Sequence, residues 1–107
     1  MNPIEIESAR QELLKVCKSL PSDATHDSVY KEAIVNDEYS MLLYVSPTIQ
    51  NRCSVEIFKN SGSGRGLING NLITGENPKK LSTDLVNEAI RKLEDIYVKG
   101  KSDIITD

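Results

Sequence analysis

His26 and Asp27 are the adjacent residues whose side chains could support general acid or base chemistry. His26 is the only histidine, and the surrounding residues 22–28 are rich in Ser, Asp and Thr, which is typical of a loop. General-base catalysis also needs a nucleophile facing the base and a third group that orients it. The chain shows no nucleophile motif, and its sixteen acidic residues are scattered over helix faces and loops. We therefore expect a protein that is not an enzyme.

Cys17 and Cys53 are the only cysteines, and they do not form a Cys-x-x-Cys pair. Each falls at an apolar position of its predicted element, so we expect two buried free thiols rather than a disulfide. One histidine and two isolated cysteines do not match any common spacing of zinc ligands. The sequence predicts no metal site and no cofactor.

Residues 60–66 contain three glycines at alternate positions and Arg65. Glycine-rich loops can hold phosphate with backbone N–H groups, but nucleotide-binding loops are followed by a helix. Here residues 66–75 are strand and turn material. We predict a flexible hairpin connection with Arg65 at its tip, where its guanidinium is accessible to a carboxylate or phosphate.

Two amphipathic helices flank the strand-forming part of the chain. In the first, Asn2 is the expected cap, Pro3 is the first helical residue, and Pro21 ends the helix. The second begins at Asn77-Pro78 or at a cap formed by Ser82, and Gly100 is expected to end it. Apolar residues recur at helical spacing along both.

Residues 39–46 and 53–59 alternate like two β-strands, separated by Pro47 and a connection over 48–52. One face of this pair carries the predicted core residues: Met41, Leu43, Val45, Val55 and Ile57.

Two segments remain ambiguous in the sequence. Residues 29–35 fit a helix or a strand, and the short polar turn at 36–38 favours a strand. Residues 66–75 form either a small hairpin at Asn69-Gly70 or one longer edge strand with a bulge at Gly70. The second segment is uncharged, so an exposed edge there would favour pairing with another chain.

The predicted fold is an α+β domain of the order α-β-β-β-β-α. It has an antiparallel sheet of three to four strands, with the N-terminal and C-terminal helices on one face. With 107 residues the chain suits one domain. We assign residues 1–100 to that domain and 101–107 to a flexible C-terminal tail.

The second face of the sheet is the predicted functional surface. Leu42 and Tyr44 share this face of one strand, and Glu56 and Phe58 share it on the next. Apolar side chains in these positions need a covering layer or a partner. We predict that a partner binds these four residues together with Arg65.

The distribution of charge favours a protein partner. Residues 1–51 carry four basic and eight acidic side chains, and residues 52–101 carry nine basic and six acidic ones. An acidic first half would steer association with a basic partner, such as a toxin or defence protein. The predicted function is stoichiometric binding, as in an immunity protein, an antitoxin or a phage-encoded inhibitor of a host defence protein.

The order helix, three strands, helix, with Lys79 and Lys80 near the second helix start, resembles the layout of double-stranded-RNA-binding domains. This resemblance implies phosphate contacts from that helix terminus and from a loop between strands. The chain differs in having an extra strand-like segment at 67–74, and it lacks the family's Gly-x-Gly-x-Ser-Lys-Lys run.

The chain is also similar in general layout to dimeric type III secretion chaperones, although it is shorter and shows no second internal helix. That similarity implies a homodimer that uses the same sheet surface. No signal peptide and no membrane-spanning apolar run is visible, so we expect a cytoplasmic protein that does not bind membranes.

Overall fold

The computed structural model describes residues 2–22, 26–47 and 51–106, with side chains described as far as Lys99. Its elements run in the order α-β-β-β-β-α, which confirms the predicted α+β fold. The following bounds define them: α1 (Pro3–Ser19), β1 (Val29–Ile34), β2 (Tyr39–Pro47), β3 (Asn51–Ser61), β4 (Gly64–Gly75) and α2 (Pro78–Thr106).

Both helices begin at an asparagine followed by a proline. The Oδ1 atom of Asn2 accepts a hydrogen bond from the Glu5 N–H at 3.0 Å. In the same way, Asn77 Oδ1 accepts from the Lys80 N–H at 3.1 Å. Each bond satisfies a backbone donor that has no partner within its helix. The Asn77 start of α2 is therefore confirmed over the alternative start at Ser82.

The helical backbone of α2 continues through Gly100 to Thr106, so the predicted stop at Gly100 is wrong. Glycine inside a helix lowers the stability of the helix by only about 1 kcal/mol relative to alanine. Helical residues on both sides can offset this loss. The flexibility expected for residues 101–107 stays a prediction, and residue 107 lies outside the described residues.

The sheet has the order β1-β2-β3-β4, with every neighbouring pair antiparallel. Residues 29–34 form a strand, which is the alternative that the polar turn at 36–38 favoured. Residues 64–75 form one long edge strand rather than a separate hairpin. Its bulge lies at Ile68, because Ile57 pairs with Asn69 while Phe58 pairs with Leu67. The bulge is therefore two residues before the predicted site at Gly70.

The predicted loop over 60–66 is mostly strand. β3 continues to Ser61 and β4 begins at Gly64, which leaves only Gly62 and Ser63 in the turn. The local composition predicted a loop, but continued pairing with the neighbouring strand prevails over that preference. Likewise, β3 begins at Asn51, within the predicted connection 48–52, of which residues 48–50 lie outside the described residues.

One face of the sheet carries the core. α1 packs on α2 and β1, while α2 lies mainly over β3 and β4. The central inward side chains of β2 and β3 are at most 1 % exposed, which confirms all five predicted core residues: Met41, Leu43, Val45, Val55 and Ile57. Because both helices pack on this face, no described element covers the opposite face of the sheet.

Candidate protein-binding face

The outward face of the sheet presents seven apolar side chains drawn from all four strands. We call it the open face and define it by these residues: Tyr30, Ile34, Leu42, Tyr44, Phe58, Leu67 and Leu72. Tyr30 and Ile34 are each 68 % exposed, and Leu67 and Leu72 are just over half exposed. The other three side chains are half-buried by their neighbours on the sheet.

The strand register sets these side chains in rows across the sheet. Tyr30 is opposite Tyr44, and their rings lie 4.4 Å apart between centroids. Leu72 continues this row on the far side of Ser54. In a parallel row, Phe58 is opposite Leu67. Cross-strand neighbours of this kind contact one another, and the row between these two carries Glu32 and Glu56 beside Leu42.

Arg65 lies across the open face. Its Nη1 atom is 3.0 Å from Glu32 Oε2, and its guanidinium carbon is 4.3 Å from the centroid of the Phe58 ring. Because Arg65 is on β4 and Glu32 is on β1, this ion pair spans the sheet from one edge strand to the other. Arg65 is the second residue of β4 rather than the tip of a loop, so the predicted tip position is wrong.

Glu56 sits near the centre of the open face. On β3 it lies between Leu42 of β2 and Gly70 of β4, and its side chain is half-buried. Within the described part of the chain, no hydrogen bond or ion pair is formed by this carboxylate. A half-buried carboxylate among apolar groups favours a cationic group on whatever covers it.

His26 has a structural position near one end of the sheet. Its Nε2 atom is 2.6 Å from Asn51 Oδ1, and its Nδ1 atom is 2.7 Å from the carbonyl oxygen of Asp27. The amide of the fully buried Asn51 donates to the carbonyl oxygens of Glu76 at 2.9 Å and Gly75 at 3.3 Å. His26 thus contacts the backbone of Asp27. Through Asn51, His26 is also linked to the segment between β4 and α2.

Both cysteines are buried free thiols, as predicted. Burial raises the pKa of Cys17, and it raises the pKa of Cys53 to about 12. A thiol that stays protonated at neutral pH is neither a nucleophile nor a metal ligand. Among the residues that the structure describes, no group of three or more His, Cys, Asp or Glu side chains could hold a metal ion. No helix in those ranges is long and apolar enough to cross a membrane.

The structure brings the five predicted binding residues onto the same side of the sheet. Leu42 and Tyr44 lie on β2, Glu56 and Phe58 lie on β3, and Arg65 reaches over Phe58.

The sequence interpretation missed the contributions of the two edge strands. On β1 the missed residues are Tyr30 and Ile34, and on β4 they are Leu67 and Leu72. The alternation of Tyr30, Glu32 and Ile34 was the available signal for β1. On β4 the bulge at Ile68 changes which residues point outward, and no pattern in the sequence locates it.

No family model, curated protein or solved structure matches the chain.

Proposed function

We propose that the protein is a non-enzymatic binding module that holds one partner protein on its open face. The observation that carries this proposal is the set of seven apolar side chains, three of them aromatic, on a sheet face that neither α1 nor α2 covers. Large exposed apolar patches mark interaction surfaces, and aromatic residues and arginine contribute most strongly to binding energy.

The size of the open face suits a protein partner. Four strands about 4.8 Å apart and about six residues of about 3.3 Å each give a face of roughly 400 Å² before side-chain relief is counted. One side of a standard interface buries roughly 800 Å². A partner that covers the open face must therefore bury roughly another 400 Å² of the surrounding surface to reach the size of a specific complex.

The charges on the open face indicate the chemistry of the partner. Among the described residues Glu56 forms no ion pair, whereas Glu32 already pairs with Arg65. A partner surface that fits has apolar groups arranged around one Lys or Arg side chain, which reaches Glu56. The acidic first half of the chain favours a basic partner. The protein would then bind a basic toxin or defence protein stoichiometrically and neutralise it.

A nucleic-acid partner has weaker support. Aromatic side chains on a sheet can stack bases, but phosphate binding needs an excess of positive charge. On the outward face, Glu32 and Glu56 balance Arg65 and the exposed Arg52. Lys79 and Lys80 belong to α2, which packs on the opposite side of the sheet.

Capture followed by reconstitution tests the proposal. The wild-type protein is immobilised, a retained protein is identified and purified, and the two are titrated by calorimetry. We expect one binding site and a negative heat-capacity change, because binding buries apolar surface. The double variant Leu42→Asp, Phe58→Asp should weaken binding by about a hundredfold or more, which corresponds to hot-spot energies of about 2–4 kcal/mol.

The matched control is Ile4→Asp, which replaces a side chain that is 79 % exposed on α1, away from the sheet. It should bind like the wild type. Binding by the double variant at wild-type affinity would contradict the proposal. So would retained material that is nucleic acid and is released by nuclease.

A further inference from the structure

The two edges of the sheet differ in their protection against strand pairing. β1 has six residues and carries Lys31 and Glu32 in its middle. β4 has twelve residues, and after Arg65 it has no charged residue and no proline. On an edge strand, alternate residues direct their N–H and C=O groups away from the sheet, where another strand can bind them. Charged side chains discourage such pairing on β1 and are absent from most of β4.

The sequence of β4 is nearly symmetric about Gly70. Residues 67–73 read Leu-Ile-Asn-Gly-Asn-Leu-Ile. If two copies pair in antiparallel fashion about a two-fold axis at Gly70, Asn69 lies opposite Asn71 of the second copy. In the same pair, Ile68 lies opposite Leu72 of the second copy. Amides thus meet amides and apolar residues meet apolar residues, which is the self-complementarity that an isologous contact requires.

Gly70 itself has no explanation within one chain. Among the described residues Gly64 is the one glycine with a positive φ, so Gly70 does not need glycine for its backbone conformation. A Cβ atom there would meet Glu56 Cγ at 3.5 Å and Leu67 Cδ1 at 3.6 Å, which are ordinary contacts. Glycine inside a strand weakens it and often marks a bulge or the close approach of another backbone. The bulge lies at Ile68, so Gly70 does not mark it. At a two-fold axis, a residue without a side chain lets two copies of the strand meet without steric conflict.

Asn69 supplies a second, independent observation. Its Oδ1 atom is buried and has no hydrogen-bond partner in the described part of the chain. The neighbouring amide of Asn71 makes one long bond, 3.4 Å from Nδ2 to Glu88 Oε1. An unpaired buried acceptor costs free energy. Pairing about Gly70 brings an Asn71 amide, which has two N–H donors, opposite this oxygen.

We propose that two copies of this chain pair through β4 about a two-fold axis at Gly70, which forms a continuous sheet of eight strands. The axis is perpendicular to the sheet, so both open faces lie on the same side and remain free. The interface is the edge of the sheet, and it does not depend on the proposed function of the open face.

Cysteine cross-linking tests the position of the axis. In an antiparallel pair, opposite Cα atoms are about 4.5–5.5 Å apart, and a disulfide accepts about 4.4–6.8 Å. With oxidised glutathione, Gly70→Cys should give a covalent dimer of twice 11.9 kDa. Cys17 and Cys53 are buried and do not compete. The matched control is Gly62→Cys in the turn, where a Cβ atom meets nothing within 4 Å, so the cysteine fits there too, and no dimer band is expected.

A charge variant gives a second measurement. Gly70→Lys places its side chain beside Glu56 within one chain but sets two lysines opposite each other at the axis. By light scattering, we expect the wild type to form a dimer as its concentration rises. The variant should dimerise about tenfold more weakly, and added salt should reduce the difference. Circular dichroism of the variant serves as the check that it is folded.

Two results would overturn the proposal: a wild type that stays monomeric at every concentration, or equal cross-linking of Gly70→Cys and Gly62→Cys. Stacking of two open faces is distinguished by adding Leu42→Asp and Phe58→Asp to Gly70→Cys. These changes should leave the cross-linked fraction unchanged if the edge is the interface, and loss of the dimer band would assign dimerisation to the open face instead. Failure of the edge contact leaves the partner titration on the open face unaffected.

Discussion

Cys53 links the stability of the protein to alkaline pH. Its pKa is raised by burial from 9.0 to about 12, so the folded state keeps a proton that the unfolded state loses above about pH 9. This stabilisation is fully present below pH 9 and is lost as pH rises towards about 12. We predict that urea unfolding will show a falling free energy of unfolding over this window. Cys53→Val should show a shallower fall, and equal slopes for the two proteins would contradict the assignment.

Leu42 and Leu43 are adjacent residues that face opposite sides of β2. Leu43 is completely buried between the sheet and the helices, whereas Leu42 is half-buried on the open face. We predict that Leu43→Ala lowers the free energy of unfolding by about 2–5 kcal/mol, because it leaves a cavity in the core. Leu42→Ala should cost clearly less in the same urea titration. A larger cost for Leu42→Ala would mean that the open face is covered in solution.

At the scale of single elements, the sequence predicted best where local chemistry decides the structure. The Asn-Pro pairs at the two helix starts need only a side-chain oxygen and a fixed φ, and both starts are confirmed. Prediction failed where neighbouring strands decide. The glycine-rich stretch 60–66 extends the strands because β3 and β4 keep pairing there, and the bulge at Ile68 follows from that pairing.

The cap of α2 gives the element-scale prediction. Asn77 Oδ1 accepts the Lys80 N–H, and replacing this cap by alanine should lower the free energy of unfolding by about 1 kcal/mol. Asn77→Asp keeps an oxygen in the same place and also suits the positive end of the helix dipole. The aspartate variant should therefore unfold at the same urea concentration as the wild-type protein. Equal losses in both variants would show that the cap bond does not contribute.

At the scale of the whole molecule, the layout follows from where the helices pack. α1 and α2 bury one face of a four-stranded sheet, and this leaves Leu42, Tyr44 and Phe58 without cover, as their alternation predicted. The full extent of the open face depends on strand order and register, which place Tyr30 beside Tyr44 and Leu67 beside Phe58. Such contacts between separate segments are not encoded in the spacing of residues within one segment.

The open face should differ from scattered exposed apolar residues in how it binds an apolar dye. Ile34, Leu67 and Leu72 are each more than half exposed and belong to one surface. We predict that changing all three to Thr lowers the fluorescence of the dye bound to the native protein. The free energy of unfolding should change by less than it does when one core residue is truncated, which costs about 2–5 kcal/mol.

The control for this dye experiment is Ile4, an apolar residue of α1 that lies outside the open face and is 79 % exposed. A single exposed apolar side chain is normal on a protein surface and offers a dye no extended area. Ile4→Thr should therefore leave the fluorescence at the wild-type level. An equal loss in both variants would mean that the dye responds to total exposed apolar area, and that the open face does not act as one surface.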